Sequence, residues 1–295
     1  MIEKIKVLSP AKINLDLLIL NKREDSYHNI SSLIQPIDFY DEISIELSSG
    51  KNLVELNFPG NIVSFDDNLI VKAALKFLTY FQINRPIRIS VKKRIPLGSG
   101  MGGGSSNAAS TLIGLSKLFQ IDDFAALSNI ALELGSDVPF FLYSRTSRVS
   151  GRGEIVEPFE IKKKINYLLI LPGVYSDTRS LYDLWDNQEE RSKRIDNCNT
   201  NWHINKESLI NGKKFALQND FTPLLISNNN IYLEIFDVLK GLGLDSYSIT
   251  GSGSTIFCVI DDNQDCREII KYIESSGDFS TIKAESFEGW HFTFD

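Results

Sequence analysis

Apolar and polar residues alternate along three segments in the first third of the chain. In residues 13–19, isoleucine and leucine at the odd positions alternate with Asn14 and Asp16. The same alternation runs through residues 43–47 and 87–91. A period of two is typical of a strand that buries one face. The pattern predicts three antiparallel-type strands, each with its other face toward solvent.

Apolar residues three and four positions apart predict helices around these strands. Residues 69–81 carry an apolar residue at every fourth position, and Asn68 just before them is a typical N-cap residue. Another helix is predicted after a glycine-rich segment near residue 100, and a further one follows Asp122 and stops at Gly135. Strands and helices do not alternate regularly, so the pattern indicates an α+β fold.

The composition changes in the middle of the chain. Residues 151–164 are polar, and a new apolar strand starts at Tyr167 and ends at Pro172. A chain of 295 residues is long enough for two domains. We therefore predict an N-terminal domain over residues 1–156 and a C-terminal domain over residues 157–295.

The second half of the chain contains the elements of a small antiparallel sheet with two helices. A helix is predicted over residues 231–242, followed by a strand, a turn at 251–253, a strand over 256–260, and then a helix and two strands. This order is typical of a split β-α-β unit. Residues 187–214 are charged and lack apolar periodicity, which predicts a surface excursion rather than core.

Charge and composition exclude several classes of protein. The chain has 31 basic and 38 acidic residues, a net charge of −7, which argues against a broad nucleic-acid-binding face. No apolar run approaches the ~18 residues of a membrane span, and the N-terminus lacks a signal-peptide core. The three cysteines have no Cys-x-x-Cys spacing. We expect a soluble protein of the reducing cytoplasm.

A glycine-rich segment between a predicted strand and a predicted helix is the sharpest motif. We call it the glycine loop; its residues are Pro96, Leu97, Gly98, Ser99, Gly100, Met101, Gly102, Gly103, Gly104, Ser105 and Ser106. Glycines let backbone amides approach a ligand, and a helix N-terminus favours anions, so the loop predicts a phosphate site. No Lys-Ser or Lys-Thr follows it as in a Walker loop, and no parallel β-α-β pattern surrounds it as in a dinucleotide site.

Four other residues are candidates for chemistry, although each is ambiguous by itself. Asp137 follows the helix stop at Gly135, where a lone aspartate is more typical of a turn or a cap. Lys12 opens a strand and resembles an ordinary edge lysine. Tyr27 and His28 end a polar loop, where such a pair is more typical of the surface.

Considered together, these segments resemble the GHMP kinases, the superfamily of galactokinase, homoserine kinase and mevalonate kinase. Within it, the chain is most similar to the family that phosphorylates 4-diphosphocytidyl-2-C-methyl-D-erythritol. Six segments carry the resemblance, in the family's order: Ser9–Leu15, Arg23–His28, Pro96–Ser106, Leu134–Phe140, Gly151–Glu154 and Thr250–Thr255. They extend over most of the chain.

The resemblance implies a fold and a reaction. The fold is the two-domain GHMP kinase fold, with an N-terminal α/β sandwich that contains a left-handed β-α-β unit and a C-terminal ferredoxin-like domain. The reaction is transfer of the γ-phosphoryl group of ATP, with Mg²⁺, to the 2-hydroxyl of a small-molecule substrate that carries a cytidine diphosphate group. The charge and the lack of a long apolar run predict no nucleic-acid or membrane partner, and we expect a monomer or a weak homodimer.

The resemblance also implies roles for individual residues. Asp137 is the implied proton acceptor, Lys12 its cationic neighbour, and the glycine loop the binding site for the ATP phosphates. Tyr27 and His28 are implied to hold the cytidine end of the substrate. The remaining implied substrate contacts are Asn14, Gly251, Ser252 and Gly253. The glycine turn at 251–253 would support either the glycine loop or the substrate diphosphate, and Ser105 or Ser106 is a possible Mg²⁺ ligand.

Two features depart from the family pattern. Ser26 stands where the family usually has glycine before Tyr-His, which restricts a positive φ there. The segment 143–149 is bulkier and more basic than in the family, and we expect Arg145 and Arg148 to face solvent rather than substrate phosphate. Two alternatives remain open: a GHMP kinase for another small alcohol, and a nucleotide-binding member without catalysis.

Overall fold

The computed structural model describes residues 3–60, 63–187, 205–211, 215–261 and 264–294. The strands are β1 (Lys4–Lys22), β2 (His28–Leu47), β3 (Val54–Asn57), β4 (Ile87–Lys92), β5 (Ser147–Gly151), β6 (Ile155–Pro158), β7 (Asn166–Leu171), β8 (Gln218–Asn219), β9 (Tyr247–Ile249), β10 (Ile256–Ile260), β11 (Ser280–Glu285) and β12 (Phe292–Phe294). The helices are α1 (Leu69–Tyr80), α2 (Gly103–Leu118), α3 (Phe124–Leu134), α4 (Val138–Tyr143), α5 (Thr178–Asp186), α6 (205–210), α7 (Thr222–Asn228), α8 (Ile231–Gly241) and α9 (Arg267–Ser276). No helix in the described ranges is long and apolar enough to cross a membrane.

The first sheet is built around a long antiparallel hairpin. Strands β12, β1, β2, β4 and β3 are neighbours in this order, while β5 pairs with β2, β6 with β5, and β8 with β1. Strand β3 runs parallel to β4, and α1 connects them, which forms a β-α-β unit. The strands predicted over residues 13–19, 43–47 and 87–91 lie in β1, β2 and β4 and are confirmed.

Helices α1, α2 and α3 lie where the patterns predict them, whereas the short helix α4 was not predicted. The Asn68 side chain accepts a hydrogen bond from the Ile70 N–H, and α1 begins at the next residue, as its N-cap pattern predicts. Helix α3 ends with Gly135 as its C-cap. These helices contribute Phe77, Phe140 and other apolar residues to a core against the first sheet.

The second sheet has the strand order β11, β7, β10 and β9, and every pairing in it is antiparallel. In chain order, β7, β9, β10 and β11 are the first to the fourth strands of this sheet, so their spatial order is 4-1-3-2. The first and second strands are thus separated by the third, as in the predicted split β-α-β unit. Helices α8 and α9 contribute Ile235, Leu239 and Ile273 to its core. The mixed helix and strand content and the two sheets confirm the α+β class. Strands β8 and β12, from the second half of the chain, pair with β1 in the first sheet.

The predicted solvent face of the first strand is wrong. Asn14 and Asp16 are both buried in β1, although their polarity marks them as the outer face. Residues from the second half of the chain cover them: Thr250 hydrogen-bonds to Asn14, and Asn205 to Asp16. An alternating pattern shows which side chains are polar but does not show whether they face solvent. Here the polar face is buried, and its side chains have hydrogen-bond partners.

Of the polar stretch 187–214, the structure describes residues 187 and 205–211. Residues 188–204 and 212–214 lie outside the described residues. Within α6, Leu209 is buried in a core cluster between the sheets, and Asn205 is buried against β1. For these two side chains the prediction of a surface excursion is wrong. Helix α6 is too short to show an apolar periodicity, so the sequence pattern could not indicate that Leu209 is buried.

Asp16 is a buried carboxylate at the junction of these elements. Its Oδ1 accepts a hydrogen bond from the Leu33 N–H at 2.6 Å, and its Oδ2 accepts one from Asn205 Nδ2 at 3.3 Å. Burial raises the pKa of Asp16 from 3.8 to about 6, against the opposing effects of these hydrogen bonds and of the Arg148 charge. The folded protein therefore binds a proton at Asp16 more tightly than the unfolded chain does.

We expect the Asp16→Asn variant to lose part of the pH dependence of stability. Because the folded protein binds the Asp16 proton more tightly, protonation of Asp16 at low pH adds to the free energy of unfolding. This contribution to stability is lost as the pH rises from about 4 to about 6. Urea unfolding of both proteins across this range measures the difference. The free energy of unfolding of the wild type should fall relative to that of the variant, and parallel pH curves would contradict the assignment. Asp122→Asn, at an exposed position, is the matched control.

Candidate active site

A cavity of about 290 Å³ lies where the hairpin, the glycine loop and the second half of the chain meet. Its polar and glycine lining consists of Lys12, Asn14, Gly98, Ser99, Gly100, Gly102, Gly103, Gly104, Ser105, Asp137, Ser176, Thr178, Tyr182, Gly251 and Ser252. Pro96 and Leu97 of the glycine loop also line it, with apolar residues of both halves. Most predicted site residues therefore come together. Met101, Ser106, Tyr27, His28 and Gly253 are not part of the lining.

The glycine loop runs from the end of β4 into the N-terminus of α2. Gly98, Gly100 and Gly102 all have a positive φ, between +64° and +74°, so every second residue takes a left-handed conformation. A Cβ at Gly100 would lie 2.2 Å from the Thr250 carbonyl oxygen and 2.6 Å from that of Gly253. The loop therefore needs glycine at this position both for its φ and for its close contact with the second half of the chain.

The residues 250–255, which we call the second glycine turn, form this contact. The Thr255 N–H donates to the Ser99 carbonyl at 3.1 Å, and Thr250 Oγ1 lies 3.4 Å from the Gly100 carbonyl oxygen. Asn219 Nδ2 donates to the Gly251 carbonyl at 2.7 Å. The turn thus packs against the glycine loop, and a direct contact with substrate at this turn stays a prediction.

The buried carboxylate of Asp41 stabilises the glycine loop. Asp41, on β2, accepts hydrogen bonds from the Arg94 and Ile95 N–H groups at 2.7 and 2.9 Å. Its other oxygen accepts from Lys93 Nζ at 2.5 Å and from Asn107 Nδ2 at 2.8 Å. Asp41 therefore holds the chain on both sides of the loop. No sequence pattern indicated Asp41, because an aspartate inside an alternating strand carries no local signal of burial.

The two serines at the start of α2 lie in different surroundings. Ser105 lines the cavity. Ser106 is fully buried, and its Oγ lies 2.8 Å from Ser9 Oγ. Asn107 Nδ2 also donates to Ser9 Oγ, at 2.9 Å. The side chain of Ser106 thus connects α2 with β1, whereas Ser105 lies where a ligand of the cavity could reach it.

Lys12 and Asp137 meet beside the second glycine turn, since a Cβ added at Gly251 would lie 3.1 Å from Lys12 Nζ. Asp137 is the N-cap residue of α4 and is about one-third exposed, and its Oδ2 lies 3.8 Å from Lys12 Nζ. Lys12 is buried, and burial lowers its pKa, an effect that the charge of Asp137 opposes. The Lys12 N–H donates to the Met101 carbonyl at 3.0 Å, which ties the lysine to the glycine loop.

Tyr27 and His28 lie beyond the cavity wall. His28 is buried, its Nε2 lies 2.8 Å from Asp186 Oδ1, and its ring stacks on that of Tyr182 with centroids 5.0 Å apart. Tyr27 is half exposed, with the Arg152 guanidinium 5.2 Å from its ring centroid. The structure therefore connects His28 to the cavity through Tyr182, which the sequence analysis missed.

The structure shows the conformation of Ser26 and the contacts of Arg145 and Arg148, the residues that depart from the family pattern. Ser26 has a φ of +68°, so the loop before Tyr27 takes the left-handed conformation even with serine in place of glycine. Arg145 is half exposed, as expected for a residue that faces solvent, and forms an ion pair with Glu160. Arg148 forms an ion pair with Glu157 but is only 20% exposed, so the expectation that it faces solvent is wrong. Neither arginine lines the cavity.

In the described part of the chain, no three or more His, Cys, Asp or Glu side chains form a cluster that could hold a metal ion. The cavity does offer an oxygen group for Mg²⁺ in the glycine loop, the Ser105 hydroxyl. A metal that arrives with a nucleotide is held largely by phosphate oxygens and water, so one or two protein oxygens fit such an ion.

Comparisons with known proteins show which family the chain resembles. Residues 68–145 match the family model of the GHMP kinases N terminal domain. The chain is 34% identical to the 4-diphosphocytidyl-2-C-methyl-D-erythritol kinase of Prochlorococcus marinus, across 99% of this chain and 95% of that protein. It is 35% identical to the kinase of the same name from Thermodesulfovibrio yellowstonii, across 90% of this chain and 92% of that protein.

Solved structures show the same fold. A crystal structure of 4-(cytidine 5'-diphospho)-2C-methyl-D-erythritol kinase superposes with a TM-score of 0.80 at 27% identity, and covers 96% of this chain and 100% of that one. Homoserine kinase from Cytophaga hutchinsonii superposes with a TM-score of 0.74 at 19% identity, covering 99% and 98% of the two chains, which shows the fold alone.

The two sheets, the glycine loop and these similarities define a small-molecule kinase with the two-domain GHMP fold. Within this class, the chain belongs to the 4-diphosphocytidyl-2-C-methyl-D-erythritol kinase family.

Proposed function

We propose that this protein transfers the γ-phosphoryl group of ATP to the 2-hydroxyl of 4-diphosphocytidyl-2-C-methyl-D-erythritol. The products are the 2-phosphate and ADP, in the non-mevalonate synthesis of isoprenoid precursors. One observation carries the proposal: Lys12 and Asp137 lie 3.8 Å apart in the same cavity as the glycine loop. A carboxylate, a cation and a phosphate-binding loop around one space are what phosphoryl transfer to an alcohol requires.

Each group has a proposed role in this transfer. Asp137 orients the acceptor hydroxyl and takes its proton, and its partial exposure leaves it accessible to substrate. Lys12 neutralises charge that develops on the moving phosphoryl group. The amides of the glycine loop and the N-terminus of α2 hold the ATP phosphates, and the positive φ of Gly100 and Gly102 allows that close approach.

The cytidine end of the substrate is proposed to bind near Tyr27 and His28. Tyr182 lines the cavity and stacks on His28, so an aromatic surface extends from the cavity to that end. Flat bases bind well to aromatic faces. Asn14, Gly251 and Ser252, which also line the cavity, would face the part of the substrate between the two ends.

Mg²⁺ is proposed to accompany ATP. When bound, the ion supplies positive charge to the phosphate oxygens. Ser105 is the residue of the cavity that would reach it, because it belongs to the glycine loop and carries a hydroxyl oxygen.

The organisation of the chain is also part of the proposal. Residues 1–156 contain the glycine loop, Lys12 and Asp137, and residues 157–295 contain the second glycine turn and Tyr182, so the two segments would meet at the active site. A monomer or a weak homodimer is the proposed state of the chain. Cys258 and Cys266 are free thiols, which agrees with a cytoplasmic location.

Substrate competition tests the proposed function. ADP release is measured for the purified protein with MgATP and 4-diphosphocytidyl-2-C-methyl-D-erythritol, in parallel with mevalonate, homoserine and galactose as acceptors. We expect turnover only with the cytidine-containing substrate. Turnover with another acceptor would contradict the roles of Tyr27 and His28, and ATP binding without any phosphorylated product would favour a non-catalytic protein.

A further inference from the structure

Ser32 lies beneath the candidate active site and connects two polar residues of β1. It is 1% exposed and stands on β2. Asn14 Nδ2 donates a hydrogen bond to Ser32 Oγ at 2.8 Å, and Ser32 Oγ donates to the Asp16 carbonyl oxygen at 2.5 Å. The hydroxyl therefore uses both its proton and a lone pair within the protein.

These two hydrogen bonds determine which way the Asn14 amide points. A backbone carbonyl can only accept, so the single proton of Ser32 is committed to Asp16. Ser32 can then only accept from Asn14, and only the amide nitrogen can donate. The NH₂ group of Asn14 consequently faces Ser32, and its oxygen faces the opposite side.

The opposite side is where Lys12 lies. Lys12 Nζ donates to Asn14 Oδ1 at 2.5 Å, and the same ammonium group is 3.8 Å from Asp137 Oδ2. Thr250 also contributes, since its Oγ1 accepts from the Asn14 N–H at 3.0 Å and donates to Oδ1 at 3.3 Å. A reversed amide would place two N–H donors against the ammonium group of a buried lysine, which is repulsive.

We infer that Ser32 is a positioning residue for phosphoryl transfer: by orienting the Asn14 amide, it holds the Lys12 ammonium group beside Asp137. The inference rests on the proposed function for the roles of Lys12 and Asp137. No motif in the sequence indicates Ser32. The inference also means that Asn14 positions Lys12, in addition to any contact that Asn14 makes with substrate.

Kinetics of three variants test the inference. Ser32→Ala removes the orienting hydroxyl, and we expect kcat to fall about tenfold while KM for ATP changes by less than about twofold. Ser32→Thr keeps a hydroxyl at the same carbon and should recover most of kcat. Ser31→Ala is the matched control, because Ser31 is the next residue on β2, is buried to a similar extent and points to the other face of the strand. We expect Ser31→Ala to behave as the wild type.

A pH profile separates positioning from general damage to the fold. Asp137 on α4 faces Lys12, and Tyr182 on α5 lies near that carboxylate, with a pKa raised by burial and by the charge of Asp137. Without the Asn14 oxygen as partner, the pKa of Lys12 should fall further, so the high-pH limb of kcat/KM moves to lower pH in Ser32→Ala. A merely destabilised protein would keep the limb in place.

A measurement without substrate distinguishes failure of this inference from failure of the proposed function. In ¹⁵N-labelled protein, the Asn14 side-chain NH₂ signal, assigned with Asn14→Asp, should shift in Ser32→Ala and stay near its wild-type position in Ser32→Thr. This result is expected whatever the acceptor substrate is. An unchanged NH₂ signal in Ser32→Ala, an unchanged kcat, or equal losses in Ser32→Ala and Ser31→Ala would each overturn the inference.

Discussion

Replacing Asp137 by asparagine is expected to lower kcat by about 10² or more. Asparagine has nearly the same shape but cannot accept the proton of the substrate hydroxyl. The carboxylate lies 3.8 Å from Lys12, so its loss also removes the charge that keeps the pKa of the buried lysine from falling further. Steady-state ADP release with the proposed substrate measures kcat, and equilibrium titration measures the affinity for ATP.

The affinity for ATP is expected to stay nearly the same, because the glycine loop and α2 are unchanged in this variant. Asp122→Asn makes the same chemical change at an exposed position of the same half of the chain and should retain full activity. Undiminished turnover in Asp137→Asn would exclude Asp137 as the proton acceptor. A loss of ATP binding as large as the loss of kcat would indicate damage to the site rather than lost chemistry.

Replacing Gly100 by alanine is expected to lower kcat/KM by about 10² and to weaken ATP binding. A φ of +74° costs an alanine about 1–2 kcal/mol. Its Cβ would also lie 2.2 Å from the Thr250 carbonyl and 2.6 Å from that of Gly253, and backbone atoms cannot rotate away. The glycine loop and the second glycine turn must therefore separate, and a displacement near 1 Å in an active site can cost about 10² in rate.

Gly241→Ala is the matched control for this prediction. Gly241 is the last residue of α8, has no heavy atom within 4 Å of its added Cβ, and has no positive φ. Alanine there should preserve activity and favour the helix. Thermal unfolding of both variants shows whether Gly100→Ala is still folded when activity is assayed. A folded Gly100→Ala variant with wild-type kcat/KM would mean that the close packing of loop and turn is not needed for function.

Several elements were predictable because their determinants lie within a few residues. The cap of Asn68, the stop of α3 at Gly135 and the bends at Gly98 to Gly102 each depend on one helical turn or one dihedral angle. The glycine loop, Lys12 and Asp137 were identified through motifs that are themselves short. The structure brings these three together in one cavity, although their roles in catalysis stay predictions.

The supporting residues of the site could not be predicted in this way. Asp41, Ser32 and Tyr182 belong to no motif, and each acts through partners that are distant in the chain. Asp41, for example, holds Asn107, which is 66 residues away. A single polar residue in a strand has the same appearance in a sequence whether it faces water or a buried hydrogen-bond donor.

The amino-acid sequence alone was enough to indicate the α+β class, the helix boundaries that depend on caps, and the family through its six ordered segments. The burial of Asn14 and Asp16, the contact of Gly100 with the second glycine turn, and the orientation of the Asn14 amide follow only from the folded chain. The reason is physical: periodicity and dihedral preference act between near neighbours, whereas the desolvation and hydrogen bonding of a polar group depend on whatever part of the chain packs against it.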